Sequence, residues 1–259
     1  MYKILKKLYD KSDILFAVVW IIAYCLFFSL GDLISSLIGV DKSVTLPIGI
    51  LLSGLLFYFL YKGKLFSEYG LCRPGVSARS MLYYIPLALM MGVNLMYGVT
   101  LNYGALETVL YILTMLCVGF LEELIFRGLL FQAMRKSNET VAIIVSAVTF
   151  GFGHIINLVN GSGAELVPNL LQVIYATAAG FMFVMIYYRS ESLIACIGAH
   201  GLFNALSAFS NEAGITLEKQ IISCAILTLI TGSYALYIAL AMRKGKNNEE
   251  EVNKNEREL

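Results

Sequence analysis

The chain has 259 residues, 58% hydrophobic and only 14% charged, with a mean hydropathy of +0.74. That is too apolar for a soluble domain, where about a quarter of residues are charged. A formal net charge of +1, with basic residues scattered over short loops, offers no field for a polyanion and excludes nucleic acid as a partner. Five cysteines with no CxxC spacing, four of them in apolar segments, indicate neither a disulfide framework nor a zinc finger.

The chain opens on the basic stretch MYKILKKLYDKSD and then ILFAVVWIIAYCLFFSL, an apolar run too long for a signal peptide and without a small-residue cleavage site. It reads as a retained first spanning helix. Apolar segments then recur at 13–37, 44–61, 80–99, 107–134, 140–158, 169–188, 191–210 and 220–242. None has the period-2 alternation of a barrel strand, and backbone groups in lipid must be satisfied within the segment. The expected fold is all-α, a polytopic membrane helical bundle of about eight transmembrane helices.

A single membrane domain covers 1–242. The polar stretch 243–259, RKGKNNEEEVNKNEREL, is expected as a cytoplasmic tail without a fold of its own. The 66–80 loop is expected to turn at Pro74. The Gly-rich 157–168 loop, NLVNGSGAELVP, reads as a connector, with a gate between helices as the alternative. With the N-terminus inside, 17 of the 19 Lys and Arg residues fall on the cytoplasmic side, leaving Lys42 and Lys219 outside. Setting aside Arg127 as intramembrane, the ratio is 16 to 2, which predicts an N-in/C-in topology.

Against this background the stretch 119–131, GFLEELIFRGLLF, is anomalous. Each charge in a spanning helix costs roughly 2.5–3.5 kcal/mol on insertion scales, and intramembrane charges generally face a protein interior or a wet cavity. Glu122, Glu123 and Arg127 are therefore candidate functional residues. So are the two histidines of the chain, His154 and His200, both in apolar segments. Glu123 and Arg127, Phe150 and His154, and His200 and Asn204 are each four apart, so each pair shares a helix face.

Glu122 lies 13 residues before Arg135, His154 lies 14 after Thr140, and His200 lies 11 after Arg189. At a rise of about 1.5 Å per residue these are depths of about 20, 21 and 17 Å, one layer of the bilayer. Peptide hydrolysis needs a base for water, which Glu122 with His154 supplies, and donors for the developing oxyanion, which His200 with Asn204 supplies. Plainer roles stay open: a neutralising Glu123–Arg127 pair, a core His154 bonded to a backbone carbonyl, and His200 with Asn204 as an interhelical hydrogen-bond pair. Phe150 reads as core packing or a pocket wall. Cys196 shares the face of His200, but its apolar setting argues against a thiol nucleophile.

The trio EExxxR (Glu122-Glu123…Arg127), FxxxH (Phe150…His154) and HxxxN (His200…Asn204), in this order on separate helices, resembles the CPBP intramembrane protease family. That family includes type II CAAX prenyl endopeptidases and Abi-like bacteriocin-processing or self-immunity proteins. The likeness covers about 110–210, and the first three helices carry no signature. It implies an eight-helix, glutamate-dependent endopeptidase of the kind often described as a metalloendopeptidase. By the likeness Glu122 is the general base with His154, His200 and Asn204 form the oxyanion hole, and Glu123 and Arg127 support the site.

No cofactor is expected. Zinc held by Glu122, His154 and His200 is the alternative, without the HExxH spacing that marks such sites. The expected partners are a peptide or lipidated peptide substrate, reached from the cytoplasmic side, and membrane lipid. The expected location is multi-pass in the plasma membrane of a bacterium, with a bacteriocin leader or signalling peptide favoured over a prenylated substrate. The competing function is a non-catalytic immunity or binding protein, or a proton-coupled transporter, although no inverted repeat accompanies the polar motifs.

Overall fold

An unpaired backbone N–H in hydrocarbon costs several kcal/mol, so each apolar run closes its own hydrogen bonds as a helix. The computed structural model describes residues 2–160, 164–211 and 213–258, with side chains described up to residue 244. Among these residues the regular structure is helical, apart from one isolated bridge between Val99 and Ser210. The tip of the 157–168 loop, residues 161–163, lies outside the described residues.

The basic N-terminus forms a helix of its own, α1 (Tyr2–Lys11). Its lysines face outward, while Tyr9 packs edge-on against Phe16 and Phe59 of the next two helices. Then come α2 (Asp13–Ile38), capped by Ser12, whose hydroxyl accepts from the Leu15 N–H, and α3 (Thr45–Gly63). A short α4 (Tyr84–Asn94) precedes the long α5 (Ala105–Arg135). The rest are α6 (Glu139–Leu158), α7 (Leu166–Ser190), α8 (Ile194–Phe209) and α9 (Leu217–Glu258). At the centre α7 packs against both α6 and α9, and α5 lies between α3 and α8.

Among the described residues six helices are long and apolar enough to cross a membrane: α2, α3, α5, α6, α7 and the 217–244 part of α9. The 80–99 and 191–210 segments were expected to cross as well and do not match that length. The α4 helix has 11 residues, and α8 is a 13-residue α-helix followed by a short 3-10 turn. At about 1.5 Å per residue these reach about 16 and 20–24 Å, short of a hydrocarbon core of about 30 Å.

The two short helices stop because their chain ends bond to each other instead of continuing. The Thr100 N–H donates to Phe209 O at 3.0 Å and the Asn211 N–H to Gly98 O at 3.2 Å, with Gly98 at φ +105° to make the turn. The last helix differs the other way. Its backbone stays helical through Glu258, so the polar stretch from Arg243, rich in the helix formers Lys, Glu and Arg, continues the last span instead of lacking regular structure.

The bundle has two distinct ends. At the terminal end Lys136 pairs with Asp13, and Arg135 with Glu191 at 2.9 Å. There the 66–80 loop is tied to the α7–α8 connection, with the Gly75 N–H donating to Ser190 O and Ser192 Oγ to Cys72 O. At the distal end Lys42 pairs with Asp32 at 2.8 Å, the Asp41 N–H donates to Glu107, and Tyr97 donates to Lys219 O.

Candidate functional site

The polar stretch of α5 departs from α-helical geometry. Residues Glu123–Phe131 form a π-helix of 9 residues, every one of them buried. Such turns are rare, are mostly single bulges, and frequently occur at functional sites. Just before it, Gly119 lets α5 touch α8: a Cβ there would lie 2.5 Å from the Gly201 nitrogen. This backbone contact brings the carboxylates of α5 against His200.

Glu123 and Arg127 are fully buried. Arg127 Nη1 donates to Glu123 Oε1 at 3.0 Å, and His200 Nδ1 bonds the same oxygen at 2.8 Å. The other ring nitrogen, His200 Nε2, lies 3.4 Å from Glu122 Oε2. The imidazole thus stands between two adjacent carboxylates. Buried charges of this kind are tolerated when they are paired and hydrogen-bonded, as Glu123 is with Arg127 and His200.

Phe150 organises the aromatic side. Its ring lies 4.0 Å beneath the Arg127 guanidinium and meets His154 and His200 edge-on at 5.3 and 5.6 Å. Phe183 of α7 stacks on His200 at 5.5 Å. Cation–π contact of this kind, away from water, is worth about 2 kcal/mol. It accompanies an unusual commitment, since Arg127 Nε and Nη2 and Glu123 Oε2 have no hydrogen-bond partner among the described residues.

His154 sits where α6 tightens from α-helix to a 3-10 turn. Its Nδ1 is 3.1 Å from Phe150 O. A carbonyl only accepts, so Nδ1 carries the proton and Nε2 keeps a free lone pair. Asn169 of α7 fixes this turn, its Nδ2 donating to His154 O at 2.9 Å.

Glu122, His154 and Asn204 all line one cavity of about 740 Å³, together with Phe150, Asn169 and Tyr24. Tyr24 of α2 donates its hydroxyl to Glu122 Oε1 at 2.6 Å. Neither Tyr24 nor Asn169 stood out in the sequence. The first three helices carry no signature in the sequence, yet α2 supplies a direct partner to Glu122. Cys196 is fully buried with its thiol directed at Phe183 O, 3.6 Å away, and does not line this cavity.

The six anticipated polar side chains, Glu122, Glu123, Arg127, His154, His200 and Asn204, thus belong to one neighbourhood built on α5, α6 and α8. Two side chains stand directly against Glu122, Tyr24 at one oxygen and His200 near the other. Among the described residues no group of three His, Cys, Asp or Glu side chains is arranged to hold a metal ion.

Six helices of spanning length around a buried carboxylate–imidazole cluster define an integral, multi-pass membrane protein with a polar interior site. Residues 104–206 match the family described as type II CAAX prenyl endopeptidase Rce1-like. Over this segment the chain is similar to that family, in general terms one of CAAX-type intramembrane endopeptidases. A search of curated proteins found no match to the chain.

Proposed function

We propose that the protein hydrolyses a peptide bond of a membrane-associated or lipidated peptide, with Glu122 as general base. The observation that carries this reading is Glu122 at a cavity wall, held by Tyr24 on one oxygen and facing His200 on the other. A water between Glu122 and His154 Nε2 gives its proton to the carboxylate as its oxygen attacks the substrate carbonyl. The oxyanion takes hydrogen bonds from Asn204 Nδ2 and from the His200 imidazole, which Glu123 orients through Nδ1. Protonated Glu122 then returns its proton to the leaving amine, which closes the proton balance.

Each of these steps uses only groups of this chain, and no metal is invoked. The substrate favoured is a leader or signalling peptide, processed in a plasma membrane.

Cleavage of a candidate peptide in detergent by wild type, Glu122→Gln and His154→Ala tests the reading. Loss of about 10²-fold or more in kcat is expected for Glu122→Gln, in line with general-base catalysis. Equal cleavage by all three variants would sink the assignment, and an ion flux abolished by Glu122→Gln would point to a transporter. Peptide binding without cleavage in wild type would point to an immunity or binding protein. Full activity is expected after exhaustive chelation, and its disappearance with recovery on adding zinc would overturn the metal-free mechanism.

A further inference from the structure

We propose that the site is loaded from the distal end of the bundle, on the extracytoplasmic side, so that its substrate is a peptide already exposed on the outer face of the membrane. The proposal rests on the hydrolytic reading for the word substrate, but the direction of access stands on geometry of its own. It also reverses the cytoplasmic access expected from the sequence.

The cavity that reaches Glu122 and His154 has Asp32, Lys42 and Ser210 among its walls, and all three belong to the distal end. No charged residue of the terminal end lines it; Arg135, Glu139 and Glu191 are absent from its walls. Between the site and the terminal end lies a plug. Every residue of Glu123–Phe131 is buried, Ser146 Oγ donates to Phe126 O from α6, and Tyr187 and Tyr69 pack below at 1% exposure each. Water or peptide coming from the terminal end would have to cross this packed core.

The short helices give the same direction. Both α4 and α8 end toward the distal side, and the irregular backbone at 98–102 and 208–211 pairs across their ends. Non-helical backbone at membrane depth is tolerated where it is buried in protein or lines a wet cavity, and Ser207 and Ser210 of this junction do line the cavity. The cavity wall also carries amide side chains, Asn94, Asn157, Gln172 and Asn204. Amides both donate and accept, which suits the backbone of an extended peptide.

Which side the distal end faces follows from the basic residues. Only Lys42 and Lys219 of the loop lysines and arginines are at that end, against 16 at the other, an asymmetry that puts the distal end outside. The substrate class is therefore an exported or membrane-inserted peptide with its scissile segment in the outer leaflet.

The test is thiol accessibility of the full-length protein in right-side-out and inverted membrane vesicles, with a membrane-impermeant sulfonated maleimide as probe. Cys25, which lines the cavity, is kept as the sole cysteine in one form, the other four being replaced by Ala. In two further forms Cys25 is also replaced and a single cysteine is introduced, as Ser210→Cys at the mouth or Arg79→Cys at the terminal end. Labelling of Cys25 and of Ser210→Cys at least tenfold faster in right-side-out vesicles, with the reverse for Arg79→Cys, is the expected result. Faster labelling of the cavity positions in inverted vesicles, or labelling of neither from either side, overturns the proposal. Adding Glu122→Gln leaves the expected labelling pattern intact, so a failed protease assay and a failed access route register separately.

Discussion

His200 carries a carboxylate beside each ring nitrogen, Glu123 at 2.8 Å and Glu122 at 3.4 Å, and this explains why the adjacent glutamates are not equivalent. Glu123 is fully buried with Arg127 as its cation, whereas Glu122 is at the cavity wall with a phenol for its partner. Removing one member of a buried pair leaves the other uncompensated at a cost of about 3–5 kcal/mol. Arg127→Met is accordingly expected to lower stability by about that much, read as thermal unfolding in detergent; a loss under about 1 kcal/mol would contradict the pairing. Tyr24→Phe is the contrasting case. Losing one hydrogen bond to a charged group is worth about 1.5–3 kcal/mol, and kcat is expected to fall about tenfold with KM unchanged if the hydroxyl holds Glu122 in its reactive orientation. An unchanged kcat would remove Tyr24 from the site.

At the scale of elements, the placement of these groups depends on helices that approach at backbone distance. A methyl group on Gly119 would come within 2.6 Å of the Gly201 backbone, and one on Gly151 would collide with Thr177 of α7. Neither obstacle is the flexible tip of a long side chain, so the helices themselves must part. Gly119→Ala is expected to shift α8 from α5 and thereby separate Glu122 from His200, and misplacement by about 1 Å can cost on the order of 10²-fold in rate. Peptide cleavage by the variant, beside its thermal unfolding, checks this: full activity in a stable protein would show that the contact does not set the site.

Much of the site was legible because carboxylates, guanidinium and imidazoles are anomalies in apolar runs, and their fourfold spacing follows ordinary helix geometry. Tyr24 and Asn169 were not legible, since a lone tyrosine or asparagine in such a run is unremarkable and no local spacing links it to Glu122 or His154. The π-helical turn was equally hidden, as was the halt of α4 and α8, which depends on bonds between segments about 110 residues apart.

For the whole molecule, hydropathy located the helices from α2 to α9 but not the basic α1, nor which of them fall short. The terminal end is held by ion pairs open to solvent, of which Lys136 with Asp13 is one. The hydrogen bond that Lys136 donates to Asp13 raises the Lys136 pKa above its ordinary 10.5. A raised folded-state value means that the pair's contribution is complete below about pH 10.5 and lost as pH rises through the folded pKa. Lys136→Ala is therefore expected to lower stability slightly, by under about 1 kcal/mol, at neutral pH. The difference from wild type should vanish only in strong alkali, and a difference that titrates near pH 7 would assign it to another group.

The brevity of α4 has a consequence for the lipid around it. Its 11 residues reach only about 16 Å, yet Tyr84, Ile85 and Leu89 point outward at about half exposure, so acyl chains and not protein must cover this flank. A hydrophobic surface shorter than the bilayer makes the bilayer thin beside it, at fractions of a kcal/mol per Å of mismatch. The protein is in this sense a local dimple, where a peptide lying among the headgroups has less hydrocarbon to cross. Turnover should then respond to acyl length: reconstituted in vesicles of increasingly long-chain phosphatidylcholine, the enzyme is expected to slow progressively, and a rate indifferent to bilayer thickness would show that the flank is sealed.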